Sequence, residues 1–282
     1  MYPSADDSGA WLAPAKLNLM LRILGRRTDG YHLLQTVFQF IDHCDRLYFE
    51  PRSDGQVVRR RGAPGVLPEQ DLVVRAAQAL KVRSGCADGV TIDVQKSLPM
   101  GGGLGGGSSN AATTLIALNR LWGLSLDTEM LAEIGLSLGA DVPVFVRGRA
   151  AWAEGVGERL TEVELPEPWY LVLTPPVSVA TAAVFSDPEL TRNSRSVTIA
   201  DFLAGAVEND CLEVVLARYP AVGDAFTWLE QRAGAARLTG TGGCVFAVFA
   251  NERDARELAA EAPARFGAFA ARGCNLSPLF QG

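Results

Sequence analysis

The sequence predicts an α+β fold in two lobes, on three observations. Apolar side chains recur at Ala15, Leu17, Leu19, Leu21 and Ile23, a period of two that means a strand. Ala111, Leu115, Leu118 and Trp122 recur at i, i+4, i+7 and i+11, which marks one face of a helix. Strands and helices mix along the chain without the strict βαβα alternation of a doubly wound sheet.

The elements follow in order. The strand Ala15–Ile23 puts Lys16 and Asn18 on one face. Thr28-Asp29-Gly30 supplies turn chemistry, and Tyr31–Ile41 reads as the second strand of a hairpin. Leu47–Glu50 and Gln56–Arg59 read as short strands, with Arg59-Arg60-Arg61 in a solvated polar loop. Gln70–Val82 has helical spacing, Val90–Gln95 alternates as a strand, and Asp127–Leu138 is a further helix. Pro166-Glu167-Pro168 is the expected boundary, giving lobes of 1–165 and 166–282 with a cleft between them. Beyond it Trp169–Thr174 is a strand and Ala221–Arg232 a helix. Cys244–Phe249, Glu252–Ala260 and Phe266–Ala271 form a strand–helix–strand unit whose helix is capped by Asn251.

Composition narrows the function. The net charge of −6 is not offset by any block of Lys and Arg, so neither nucleic acid nor an acidic membrane surface is expected as a partner. No stretch approaches the ~18 apolar residues of a membrane span, and the acidic MYPSADDSGA start lacks the order of a secretory signal. Five scattered cysteines without a C-x-x-C pair argue against a disulfide framework or a zinc site. A cytoplasmic location is the expectation. The final LFQG is similar in part to a protease-tag remnant.

The most informative segment is Pro99-Met100-Gly101-Gly102-Gly103-Leu104-Gly105-Gly106-Gly107-Ser108-Ser109. Glycines let the backbone take positive φ and approach a ligand closely. Ser108 and Ser109 stand just before the apolar-periodic helix, where free N–H groups and the helix dipole favour an anion. That is what holding a polyphosphate requires. No Lys follows in a G-K-[ST] order, so the loop is not a Walker A motif. Gly101, Gly103 and Gly106 do satisfy G-x-G-x-x-G, which keeps a dinucleotide site open as an alternative.

Two isolated charges complete the pattern. Lys16 is the only charged residue between Asp7 and Arg22, and Asp141 the only one between Glu133 and Arg147. Charges in apolar stretches are seldom buried unless paired. Phosphoryl transfer gives such a pair a role, with the carboxylate accepting the proton of an attacking hydroxyl and the ammonium steadying charge.

Three segments together resemble the GHMP kinase superfamily: Pro14–Leu19, Leu98–Ala111 and Leu238–Phe246. Asp29–Leu33, Gly139–Phe145 and Asn275–Pro278 resemble the branch that acts on an alcohol joined to cytidine diphosphate. The resemblance implies a first lobe like ribosomal protein S5 and a ferredoxin-like second lobe. It implies ATP with Mg2+ as phosphoryl donor, Asp141 as base, Lys16 as its charged partner and Asn18 orienting the acceptor. The 99–109 loop would wrap the ATP phosphates, with Asp71 and Leu72 near adenine. Tyr31 and Phe185 would stack on the cytosine and His32 would hydrogen-bond its edge, with Thr181 and Gly240–Gly243 lining the remainder. Two positions depart from that pattern: Ser186 stands where a Lys can follow the stacking Phe, and Asp71 stands where Asn is familiar. A kinase for another alcohol and a silent nucleotide sensor are the competing readings.

Overall fold

The structure is a computed structural model and describes residues 3–281. Met1, Tyr2 and Gly282, and with them the ends of the MYPSADDSGA and LFQG segments, lie outside the described residues.

Two long strands open the chain, β1 (Trp11–Arg26) and β2 (His32–Arg52), antiparallel around the Thr28-Asp29-Gly30 turn. Leu47–Glu50, expected as a separate strand, is the far end of β2. Asp42, His43 and Asp45 disguise that continuity in the sequence. The pairing absorbs Asp42 and His43 as a bulge, since Pro14 faces Cys44 while the next residue, Ala15, faces Ile41, and Asp45 stays paired with Ala13. A second register shift follows between Asn18 and Met20. Lys16–Asn18 therefore run between two bulges, the device that re-aims side chains along an otherwise regular strand.

β3 (Val57–Arg61) runs parallel to β4 (Gly89–Gln95), which pairs antiparallel with β2. Arg59-Arg60-Arg61 thus belongs to β3 rather than to a loop, and Arg59 is nearly buried in an ion pair with Asp71. That pair removes the reason to expect a solvated turn. β5 (Ala151–Glu154) joins β2 on one side and β6 (Arg159–Glu162) on the other.

Four helices pack on this sheet: α1 (Leu72–Ser84), α2 (Gly106–Leu121), α3 (Thr128–Leu138) and α4 (Val142–Arg147). Asp71 caps α1 by accepting from Val73 N at 3.2 Å, and Asp127 caps α3 by accepting from Met130 N at 2.8 Å. α2 begins at Gly106, inside the glycine run, so Ser108 and Ser109 lie within its first turn rather than ahead of it. Glycine is a poor helix former, which is why the sequence places this start too late. Phe38, Phe40, Leu80, Ile92, Leu115 and Phe145 fill the core beneath the helices.

The second lobe carries β7 (Trp169–Thr174), β8 (Arg237–Leu238), β9 (Val245–Phe249) and β10 (Gly267–Cys274), all paired antiparallel. Its helices are α5 (Thr181–Ser186), α6 (Ile199–Leu203), α7 (Leu212–Arg218), α8 (Pro220–Ala233) and α9 (Glu252–Ala260). Asn251 caps α9 by accepting from Asp254 N at 3.0 Å. Helices α4 to α7 are of five to seven residues, too short for a periodic signal to emerge from sequence. β10 pairs with β7 and also with β2, so one sheet runs β3-β4-β2-β10-β7-β9-β8 through both lobes. After β10 the chain returns to the first lobe, where Leu279 is buried in the core and Phe280 packs against it. Among the described residues no helix is long and apolar enough to cross a membrane.

Candidate active site

A cavity of about 650 Å3 opens between the lobes, within the range of small-molecule sites. β1 contributes Lys16 and Asn18, the glycine loop contributes Pro99 to Ser108, and the start of α1 contributes Leu72 beside Asp71. Asp141 precedes α4, Thr181 and Phe185 come from α5, and Gly240 and Thr241 come from the turn after β8.

Packing against both lobes fixes the glycine loop. Asp45, fully buried on β2, accepts from Ser97 N at 2.7 Å and Leu98 N at 2.9 Å and is ion-paired with Lys96. From the second lobe, Val179 N donates to Gly101 O at 3.2 Å and Cys244 N to Gly102 O at 3.0 Å. Gly103 has φ +77°, and a Cβ there would collide with the Thr239 carbonyl oxygen. Only glycine fits that approach. Gly105, also left-handed, is the N-cap of α2, so the free N–H groups of this helix open onto the loop. Ser109 is fully buried with its Oγ unpartnered and does not line the cavity, whereas Ser108 does.

The two isolated charges meet at the cavity floor. Lys16 Nζ lies 3.4 Å from Asp141 Oδ2, donates to Gly103 O at 3.0 Å and is hydrogen-bonded to Asn18 Oδ1. Lys16 is buried while the Asp141 side chain is one-third exposed, so the carboxylate is the member that faces incoming molecules. Asn18 Nδ2 donates to Thr36 Oγ1 at 2.8 Å, and the Thr36 hydroxyl donates to Met20 O. Asn18 N donates to Thr239 Oγ1 at 3.0 Å, and that hydroxyl donates to Gly103 O at 3.2 Å. The result is a lysine, a carboxylate and a loop carbonyl held in one network.

At the opposite end, Phe185 lines the cavity and stacks on His32, with centroids 5.0 Å apart and an interplanar angle of 24°. His32 is buried, and burial, followed by the charges of Arg192 and Arg26, holds its pKa below the ordinary imidazole value. Tyr31 is 63% exposed and stands outside the cavity lining, as does His32. Thr181 Oγ1 and Thr241 Oγ1 share a hydrogen bond of 3.0 Å. Ser186 is exposed, its hydroxyl bonded to Ala183 O.

Sequence reasoning missed Thr36, Thr239, Lys96, Val156 and Gly157, and Arg192 behind His32. All except Thr239 and Arg192 line the cavity. Thr36, Thr239, Lys96 and Arg192 have partners far away in sequence, up to 221 residues for Asn18 and Thr239, so no local spacing signals them. Thr36 and Thr239 are moreover of types that strands use freely.

Comparison with known proteins bears on this geometry. Residues 71–149 match the GHMP kinases N terminal domain, and residues 197–268 the GHMP kinases C terminal domain. A protein of Nitrosococcus oceani named 4-diphosphocytidyl-2-C-methyl-D-erythritol kinase is 56% identical, over 95% of this chain and 96% of that protein. One of the same name from Methylococcus capsulatus is 55% identical, over 95% of this chain and 92% of its own length. A crystal structure of 4-(cytidine 5'-diphospho)-2C-methyl-D-erythritol kinase superposes with a TM-score of 0.80 at 34% identity, covering 94% of this chain and 98% of that one.

Proposed function

This chain belongs to the GHMP kinase family, and on that premise we propose that it transfers the γ-phosphoryl group of ATP to the 2-hydroxyl of 4-diphosphocytidyl-2-C-methyl-D-erythritol. The products are the 2-phosphate and ADP, a step of non-mevalonate isopentenyl diphosphate biosynthesis. The observation that carries the reading is the Lys16–Asp141 contact of 3.4 Å on the floor of a cavity whose wall is the glycine loop.

Each group has a role that its surroundings support. The loop 99–108 and the N-terminus of α2 bind the ATP phosphates through backbone N–H groups. Asp71 and Leu72 flank the adenine, with the Asp71 carboxylate already engaged by Arg59. Asp141 accepts the proton of the attacking hydroxyl, Asn18 and Thr181 orient the alcohol, and Lys16 offsets charge building on the transferring group. Positioning of this kind is the larger part of phosphoryl-transfer catalysis. Tyr31, His32 and Phe185 hold the cytosine, by stacking and by a hydrogen bond to its edge. Residues 1–165, joined by the tail at Leu279 and Phe280, form the nucleotide lobe, and the remainder of 166–282 the acceptor-side lobe.

Mg2+ fits as a companion of the nucleotide. No cluster of three His, Cys, Asp or Glu is present among the described residues. Mg2+ is commonly held by substrate phosphates with one or two carboxylates, and among the cavity-lining residues Asp141 and the Ser108 hydroxyl would hold it. When bound it neutralises phosphate charge. Five free cysteines suit a reducing compartment, which favours the cytoplasm.

The test is ADP release with Mg-ATP against the cytidine compound, mevalonate, homoserine and galactose. ADP formed only with the cytidine compound, and a new phosphate on its 2-oxygen by phosphorus NMR, is the expected result. ADP with another alcohol would discard the cytosine pocket and keep the kinase.

A further inference from the structure

Arg192 is the most heavily bonded side chain near the base end, and the activity leaves it without a role. Its Nε donates to His32 Nε2 at 3.2 Å, its Nη1 to Leu190 O at 3.0 Å, and its Nη2 to Phe185 O at 3.0 Å and Asp187 O at 2.6 Å. The planar fork is therefore fixed from three sides. One guanidinium holds both members of the His32–Phe185 stack, His32 through its ring and Phe185 through its backbone.

The chemistry of that contact is one-directional. A guanidinium carries only donors, so His32 Nε2 has to be the acceptor. The ring is then neutral, with its single proton on Nδ1. Burial and the nearby arginine charges oppose a second proton. An Nδ1–H can only donate.

We propose that Arg192 is a positioning residue that sets the base preference of this site: by locking His32 as the Nδ1–H tautomer, it favours a pyrimidine whose N3 accepts, cytosine over uracil. The N3 atom of cytosine accepts a hydrogen bond, whereas N3 of uracil carries a proton and would face donor with donor. With Ser186 offering only a neutral hydroxyl turned to Ala183 O, Arg192 acts on the base through His32. This inference rests on the reading of the acceptor as a cytidine compound.

The chain has two histidines, which makes the tautomer directly observable. Nitrogen-15 NMR of the unaltered, nucleotide-free protein at neutral pH, with His32→Gln for assignment, should show His32 protonated on Nδ1 and bare on Nε2. The opposite tautomer or an imidazolium would overturn the proposal, whatever the variants do. Arg192→Gln should raise KM for the cytidine acceptor about tenfold, equivalent to about 1.4 kcal/mol, and should narrow its preference over the uridine analogue. Its kcat should stay within about threefold, and adding His32→Gln should cost no further affinity. Arg192→Lys, which keeps a donor-only head group where the glutamine amide can also accept, should recover part of the loss. If Arg192→Gln instead lowers melting temperature and kcat while KM and base preference hold, Arg192 merely closes its loop and the proposal fails. Absence of turnover with the cytidine compound in the unaltered protein would sink the acceptor reading instead, a result distinct from either tautomer.

Discussion

At the proposed reacting end of the cavity, Lys16 is buried and bonded to Asn18, Gly103 and Asp141, and the groups behind it are themselves bonded. At the base end, Tyr31 is 63% exposed on a turn and His32 is held from behind by one arginine. The first region is assembled from β1, the start of α4 and a loop pinned by both lobes. The second is built from a hairpin turn and the short helix α5 with its following loop. On the proposed reading, chemistry that depends on fractions of an ångström falls on the rigid part, whereas recognition of a flat ring tolerates a looser frame.

Four substitutions and a titration sharpen that contrast. Asp141→Asn should lower kcat by about 10²- to 10⁴-fold with little change in ATP affinity; near-normal turnover in a steady-state assay would remove the carboxylate from the chemistry. Gly103→Ala should come next, because a methyl at φ +77° meets the Thr239 carbonyl. We expect about 1–3 kcal/mol of lost stability by denaturant titration, together with weakened ATP binding. Tyr31→Ala should cost about 1–3 kcal/mol of acceptor affinity with kcat nearly intact, and an unchanged KM would detach the ring from the base. Thr36→Val should reduce kcat by several-fold, about 1 kcal/mol, by freeing Asn18 from its orienting hydroxyl, and Thr36→Ser should restore it.

The smallest effect is a pH dependence. With its folded-state pKa lowered from the ordinary 6.5, chiefly by burial, His32 stays neutral where a free imidazole gains its proton. KM for the acceptor should therefore remain flat as pH falls through about 6.5 and rise only below it. Folding stability has the same sign: His32's contribution is complete above the unfolded-state pKa and is lost as pH falls beneath it. A KM that climbs already between pH 7 and 6.5 would contradict the lowered value.

The meeting of Lys16 and Asp141 beside the glycine loop was legible in the sequence. Lys16 and Asp141 are each isolated among apolar residues, and the glycine run has few other uses. Their meeting across 125 residues follows from pairing one unpaired charge with the other. The fold was legible wherever a period had room to repeat, as in β1, α3 and α9. It failed where glycines open a helix at Gly106 and where Asp42 and His43 interrupt a strand that continues as a bulge. The partners behind the site were invisible for another reason. Thr36, Thr239 and Arg192 are ordinary residues whose importance lies in what folding brings opposite them.

The carbonyl of Gly103 accepts from both Lys16 and Thr239 and sits in the stretch proposed to receive the phosphates. On the proposed reading, a nucleotide bound there and an alcohol beside Lys16 would act on the same carbonyl from two sides. Whatever factor the bound nucleotide adds to the affinity for the alcohol, the alcohol must return to the nucleotide. The two substrates would then share one coupling constant, readable as the change in affinity for a non-hydrolysable ATP analogue when the alcohol is present.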